Sequence, residues 1–266
     1  MLKSKATANQ CGVPLTSTPD SLLDQGNDQS DFAISLIWMV SQRIKEGRPL
    51  VQSDSTADIW SELCPTNLLC TALEGKTLGI IGFNSAGQDI AKRAHQELGM
   101  RIIAYDPCAI TNEVSTSCFV ETTHSIDDLL PNSDYVLLND AQQTTENSTI
   151  NRNDHYIIDS NRLNLMKPNA CLINIAHGAA VDLQALMQAL WFETIAGAGL
   201  TINNGEMSIP IYNQAYSQLG FSSCDNVVLL PRPQLTNDET RAAMGFRVAQ
   251  NIKDVSADNR PQDQVN

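Results

Sequence analysis

The stretch Thr77-Leu-Gly-Ile-Ile-Gly82-Phe-Asn-Ser-Ala-Gly87 decides the fold of this 266-residue chain. It begins as an apolar run that predicts a buried strand, and the strand ends at Gly82. A helical pattern follows from about Ser85 to Leu98 and closes at Gly99, a residue type that commonly ends helices. Short apolar runs and helical patterns then alternate along the chain. Such alternation predicts an α/β fold with a doubly wound parallel sheet.

The remaining predicted elements follow the same rhythm. Further strands are expected at Arg101–Tyr105, Tyr135–Leu138, Ala170–Asn174, Ile195–Thr201 and Val227–Leu230. Further helices are expected at Asp31–Ile44, Ser125–Leu130, Ser160–Met166, Asp182–Ala189 and Asp238–Val255. Several of the strands are continuously apolar, which is typical of a sheet covered by helices on both faces.

The predicted organisation is essentially one domain with polar ends. Residues 1–30 are polar and turn-rich, residues 31–255 carry the alternating pattern, and residues 256–266 form a polar tail. Two stretches break the rhythm, at 140–157 and 202–225. Loops of this length inside a compact domain are usually functional or disordered.

Composition excludes several classes of function. Hydrophobic residues make up 42% of the chain, which is enough for a sizeable core. The 17 basic and 30 acidic residues give a net charge of −13, which argues against nucleic acid or an anionic membrane as a direct partner. No apolar run approaches the roughly 18 residues of a membrane span. The seven cysteines are scattered without a CxxC pair, so we predict reduced thiols in the cytoplasm and no metal site.

The glycine turn predicts a nucleotide site. A dinucleotide-binding turn reads G-x-G-x-x-G between a strand and a helix, with an acidic residue about 20 positions later for the ribose hydroxyls. Gly82 and Gly87 supply the first and third glycines, and Asp106 follows the next predicted strand. Asn84 replaces the second glycine, and its side chain is expected to intrude where the phosphates would lie. The alternative is an ordinary tight turn between strand and helix.

These positions define a Rossmann-type cofactor site. Asp106 favours NAD over NADP, because a carboxylate would repel a 2′-phosphate. The expected cofactor-binding residues in and after the turn are Gly82, Asn84, Ser85, Ala86, Gly87 and Asp106.

Ordered matches over about residues 73–255 carry a family resemblance. They are Leu73-Glu-Gly-Lys-Thr-Leu-Gly-Ile-Ile-Gly82, Leu98-Gly-Met-Arg-Ile-Ile-Ala-Tyr-Asp-Pro107, Ser133-Asp-Tyr-Val136, Leu165-Met-Lys-Pro168, Asn174-Ile-Ala-His-Gly178 and Ile195-Ala-Gly-Ala-Gly-Leu200. Together they resemble the D-isomer-specific 2-hydroxyacid dehydrogenases. The resemblance implies NAD(H) as cofactor and a homodimer formed through the nucleotide domain. It also implies that residues 1–30 are the remnant of a substrate domain whose larger part is missing.

The catalytic positions implied by the resemblance carry changed residues. His177 stands where the family has the Arg that grips the substrate carboxylate, and Arg232 stands where it has the general acid/base His. Glu206 matches the Glu that orients that histidine. Thr201 replaces an Asp near the nicotinamide amide, and Asn139 begins a segment that replaces the family's H-x-P-L motif.

Three functions remain open, and the substituted catalytic positions favour the first of them. The first is an NAD(H)-binding protein that has lost catalysis and acts as a sensor or interaction scaffold, with cofactor binding weakened. The second is an active oxidoreductase in which His177 and Arg232 have exchanged roles, since His titrates near neutral pH and Arg pairs with carboxylates. The third is an interaction protein that no longer binds nucleotide. One branch of the family consists of transcriptional corepressors, so a protein partner is also conceivable.

Overall fold

The structure, a computed structural model, describes residues 13–16, 28–45, 70–107, 118–139, 156–176, 180–203, 220–221, 224–232, 238–257 and 259–264. Its strands are β1 (Thr77–Ile81), β2 (Arg101–Tyr105), β3 (Val120–Thr122), β4 (Tyr135–Leu138), β5 (Cys171–Asn174), β6 (Gly197–Asn203) and β7 (Val227–Arg232). Its helices are α1 (Asp28–Ser41), α2 (Ser85–Gln96), α3 (Ile126–Leu129), α4 (Ser160–Leu165), α5 (Leu183–Trp191) and α6 (Asp238–Ser256), with a 3-10 turn at Leu130–Asn132.

The seven strands form one parallel sheet in the order β3-β2-β1-β4-β5-β6-β7. The chain builds the sheet outward from β1 in one direction, then returns to place β4 on the other side of β1. The predicted doubly wound Rossmann-type sheet is therefore confirmed. The point where the strand order reverses lies between β1 and β4, and the carboxyl ends of these strands border it.

Two hydrophobic layers cover the sheet, one on each face. Side chains alternate across a strand, so Leu137 packs on one face while Val136 and Leu138 pack on the other. The layer that contains Leu137 also holds the buried sides of α1 and α2. The layer that contains Val136 and Leu138 holds those of α3, α4 and α5. Burial on both faces explains why β1, β4 and β5 are buried along their whole lengths.

Most apolar residues of helix α1 are buried within the chain. Ala33, Leu36 and Ile37 are fully buried against the sheet, whereas Trp38 is 42% exposed. Burial within one chain therefore accounts for most of the apolar character of this helix. The predicted homodimer stays a prediction.

The observed elements differ from the predicted ones mainly at their ends. Helix α1 begins at Asp28 rather than Asp31, and β6 runs from Gly197 to Asn203 rather than from Ile195 to Thr201. The sequence prediction missed β3, a three-residue strand with an exposed pattern that pairs with β2. Such a short edge strand carries almost no hydrophobic periodicity of its own.

The chain divides into two compact units, residues 30–232 and residues 1–29 with 233–266. The first unit holds the whole sheet. In the second, Arg247 pairs with Asp263, which also accepts a hydrogen bond from Asn251. The grouping of 31–255 as one dinucleotide-binding domain stays a prediction. The predicted loops at 140–157 and 202–225 lie largely outside the described residues. None of the described helices is both long and apolar enough to cross a membrane.

Candidate functional site

The turn after β1 has the backbone geometry that a glycine motif predicts. Gly82 adopts a φ of +94°, a region that side chains disfavour, and its amide donates to Tyr105 O at 2.9 Å. A Cβ on Gly87 would lie 2.5 Å from Gly82 O, closer than any real contact. Glycine is therefore required at both positions, first by the backbone angle and then by the close approach of helix and strand.

Asn84 begins α2 as its capping residue. Its side-chain Oδ1 accepts a hydrogen bond from the Gly87 amide at 3.0 Å, so one donor of the first helical turn is satisfied by the chain itself. Ser85 and Ala86 are the first two helical residues; Asn84 and Ser85 are exposed and Ala86 is partly so. The predicted residues of the turn thus lie together at the amino end of α2.

Asn139 joins this turn from the neighbouring strand. It follows β4 directly, is fully buried, and its Nδ2 donates to Asn84 Oδ1 at 2.7 Å and to Gly82 O at 3.2 Å. Asn139 was not among the predicted cofactor-site residues. The available signal was its position at the carboxyl end of the strand next to β1, where ligands of doubly wound sheets bind.

Asp106 lies beside the same turn. It is partly exposed just beyond β2, and its Oδ2 accepts a hydrogen bond from the Phe83 amide at 2.7 Å. The carboxylate is thus held at the edge of the turn, where the sequence motif expects the acidic residue that contacts ribose. Its role in choosing NAD over NADP stays a prediction.

Thr201 presents a buried polar atom at the carboxyl-terminal part of β6. The residue is fully buried, and within the described part of the chain its Oγ1 is a buried side-chain atom that has no hydrogen-bond partner. Leaving a hydroxyl in this state costs about 1–3 kcal/mol, and a bound ligand or water can supply the missing partner. The orphaned hydroxyl and the two-glycine cradle both fit a bound dinucleotide.

The three predicted catalytic residues are not brought together by the described part of the structure. His177 and Glu206 lie outside the described residues. Arg232 ends β7, where it pairs in register with Asn203 of β6, and the description there covers its backbone only. Their roles stay predictions. Among the described residues, no group of three or more His, Cys, Asp or Glu is placed to hold a metal.

A known protein-family model matches the part of the chain that forms the sheet. Residues 34–232 match the model of the D-isomer specific 2-hydroxyacid dehydrogenase, NAD binding domain. The chain is 35% identical to the glyoxylate reductase of Pyrococcus furiosus and 36% identical to that of Thermococcus kodakarensis, each over 245 residues and 92% of this chain. These matches cover 66% and 67% of the two relatives, so the chain spans about two thirds of their length.

A solved structure extends the likeness to three dimensions. That protein, from a Polaromonas species, is described as an NAD-binding D-isomer specific 2-hydroxyacid dehydrogenase. It superposes with a TM-score of 0.78 at 27% identity, over 98% of this chain and 74% of that one. With the glycine turn, Asp106 and the parallel sheet in place, these matches show that the chain belongs to the D-isomer specific 2-hydroxyacid dehydrogenase family, with NAD(H) as the cofactor of its nucleotide-binding domain.

Proposed function

We propose that this chain is the nucleotide-binding part of an active NAD(H)-dependent oxidoreductase that interconverts a small 2-keto acid and its 2-hydroxy acid. The observation that carries the proposal is the likeness to glyoxylate reductases across 92% of the chain. This replaces catalytic loss as the favoured function, since the relatives that match 92% of the chain are named as reductases. Glyoxylate is the first substrate to test.

One set of residues would bind the cofactor, and a second set would act on the substrate. NAD(H), when bound, supplies or accepts the hydride at C2 of the substrate. The turn at Gly82–Gly87 would hold its diphosphate, Asp106 its ribose, and Thr201 would offer a hydroxyl to the nicotinamide end.

We assign the substrate chemistry to three residues at the family's catalytic positions. His177 would donate the proton that the keto oxygen gains on reduction, because imidazole titrates near neutral pH. Arg232 would hold the substrate carboxylate, which a guanidinium can pair with through two hydrogen bonds. Glu206 would stabilise the protonated imidazole.

A reductase assay tests this assignment. NADH consumption is followed by nicotinamide absorbance with glyoxylate and with a panel of longer 2-keto acids. We expect turnover that is lost in both His177→Ala and Arg232→Ala while NADH affinity is kept. Turnover indifferent to both substitutions would contradict the exchanged roles.

The runner-up is a cofactor-binding protein without turnover. It is favoured by one observation, that His and Arg stand at positions where the family has Arg and His. NADH binding in calorimetry with no reduction of any acid in the panel would establish it in place of the enzyme.

A further inference from the structure

Asn84 occupies the second glycine position of the turn, and its side-chain oxygen accepts two hydrogen bonds, one from the Gly87 amide and one from Asn139. We propose that Asn84, held in place by Asn139, is an internal competitor for the cofactor's diphosphate and thereby sets the affinity for NAD(H). The inference rests on the proposed binding of NAD(H) at this turn. It concerns a contact between two residues 55 positions apart, which the glycine motif does not predict.

The competition is for backbone donors at the start of α2. Amides in the first turn of a helix have no partner within the helix, and they bind anions such as phosphate. The Gly87 amide is one of these donors, and the carboxamide oxygen of Asn84 accepts its hydrogen bond at 3.0 Å. In this chain the side chain of Asn84 therefore satisfies a donor that an incoming phosphate oxygen would use.

Asn139 fixes the competitor in that position. Its Nδ2 lies 2.7 Å from Asn84 Oδ1 and 3.2 Å from Gly82 O, so one buried amide ties the competing side chain to the backbone of the turn. Asn139 is fully buried, and its bond to Gly82 O is shielded from solvent, which fixes the position of its amide. Asn84 itself is exposed, so its side chain has room to leave when the Gly87 amide takes another acceptor.

Binding a diphosphate then requires two hydrogen bonds of Asn84 to break. A glycine at this position has nothing to displace, whereas Asn84 must give up its bonds to Gly87 and Asn139. The difference acts only on ligands that carry phosphate at the turn. Ligands that reach only the adenine and ribose parts of the site leave Asn84 where it is.

Replacing Asn84 tests the inference by affinity alone. We expect Asn84→Gly to bind NADH and ADP-ribose on the order of tenfold more tightly than the wild-type protein, since two hydrogen bonds no longer break. Adenosine affinity should be unchanged. Asn84→Ala removes the same bonds without the backbone freedom of glycine, and it should shift NADH and ADP-ribose in the same direction.

Thermal unfolding of the free protein gives a second readout. Both Asn84 variants should melt at a lower temperature, because the helix loses its cap. Ser125→Gly is the matched control, since Ser125 caps a different helix, α3, through the Asp127 amide. It should lower the melting temperature without changing any affinity.

A double-mutant cycle tests the role of Asn139. Asn139→Ala should tighten NADH binding when Asn84 is present and have no such effect in the Asn84→Gly background. If wild type binds NADH and neither Asn84 variant binds more tightly, the competitor is overturned and the proposed function stands. If neither wild type nor variants bind NADH or ADP-ribose, the proposed function itself fails, and the competitor with it.

Discussion

Strands β1 and β4 are clamped together at both ends of the sheet, by different chemistry at each end. At the amino end, Asp134 Oδ2 accepts from the Thr77 amide and Asp134 Oδ1 from Lys167 Nζ, each at 2.9 Å. At the carboxyl end, the neutral amide of Asn139 bridges to Gly82 and Asn84. The amino-end clamp uses a carboxylate that is paired with Lys167, and the carboxyl-end clamp uses a neutral amide.

The difference follows from what each end must bind. No ligand is expected at the amino end, so a carboxylate can be used there to tie two strands together. The carboxyl end faces a cofactor with a negatively charged diphosphate, and a carboxylate in the Asn139 position would repel it. A neutral amide performs the same mechanical role without that repulsion.

The turn is most easily broken at Gly87. Gly87→Ala places a Cβ 2.5 Å from Gly82 O, a backbone atom that cannot move aside without distorting β1 and α2. We expect a loss of about 1–3 kcal/mol in the free energy of unfolding, measured by urea titration, and loss of detectable NADH binding. Gly245→Ala is the control, because nothing lies within 4 Å of that Cβ in α6. It should be neutral or stabilising by up to about 1 kcal/mol.

Asn139→Asp places a carboxylate in the carboxyl-end clamp, like the one that Asp134 supplies at the amino end. The substitution keeps the shape of the side chain but adds a negative charge beside the turn and removes the Nδ2 donor. We expect NADH to bind at least about tenfold more weakly in calorimetry, with adenosine affected less, because repulsion of the diphosphate by the added charge outweighs the release of Asn84. Unchanged NADH affinity would show that charge does not distinguish the two clamps.

Asp134→Asn tests the amino-end clamp through stability and its pH dependence. Burial by itself would raise the pKa of Asp134, but hydrogen bonds from Lys167 and the Thr77 amide hold it below its ordinary value. A lowered folded-state pKa means that the carboxylate stabilises the protein above about pH 4, and that this stability is lost as the pH falls through the folded-state value.

We therefore expect Asp134→Asn to cost about 1–3 kcal/mol at neutral pH and less in acid, measured by urea unfolding at several pH values. NADH affinity at neutral pH should not change. The control is Asp127→Asn, which removes an exposed ion pair with Arg162 and should cost less than about 1 kcal/mol. A cost for Asp134→Asn that is the same at all pH values would contradict the linkage.

Thr201→Val should have the smallest effect on the free energy of unfolding, and it should stabilise the protein rather than destabilise it. Removing a buried hydroxyl that has no partner in the described structure should stabilise the free protein by up to about 1 kcal/mol in urea unfolding. NADH affinity should fall if that hydroxyl serves the cofactor. Thr123→Val is the matched control, because Thr123 Oγ1 donates to Ser125 O, and its loss should destabilise. Destabilisation by Thr201→Val would mean that the hydroxyl is satisfied in solution.

Much of the fold could be predicted because its signals are local. The strands β1, β2 and β4 were predicted with their observed ends, since a buried parallel strand is a continuous apolar run bounded by turn residues. The predicted end of β6 lies two residues before the observed one. Residues 202 and 203 continue the strand because they pair with β7, and this pairing cannot be predicted from the sequence of β6 alone. The three-residue β3 exists only by its pairing with β2.

The candidate site divides in the same way. A spacing rule predicts Gly82, Gly87 and Asp106, because the tight turn and the acidic residue at the end of the next strand lie within 25 residues of sequence. Asn139 could not be found by spacing, since its partner Asn84 belongs to another strand–helix unit, 55 positions earlier in the chain. Asp134 was missed for the same reason, as its partners come from β1 and from the segment before β5.

The sequence by itself determined the parallel α/β class, the glycine turn and the family, because periodicity, a positive-φ glycine and ordered motifs are properties of short segments. Only the tertiary structure decided how the turn is held. Strand order places β4 beside β1, and this adjacency brings Asn139 against Asn84 at one end and Asp134 against Thr77 at the other. Hydrogen bonds need contact within about 3 Å, and contact between distant segments exists only once the sheet has formed.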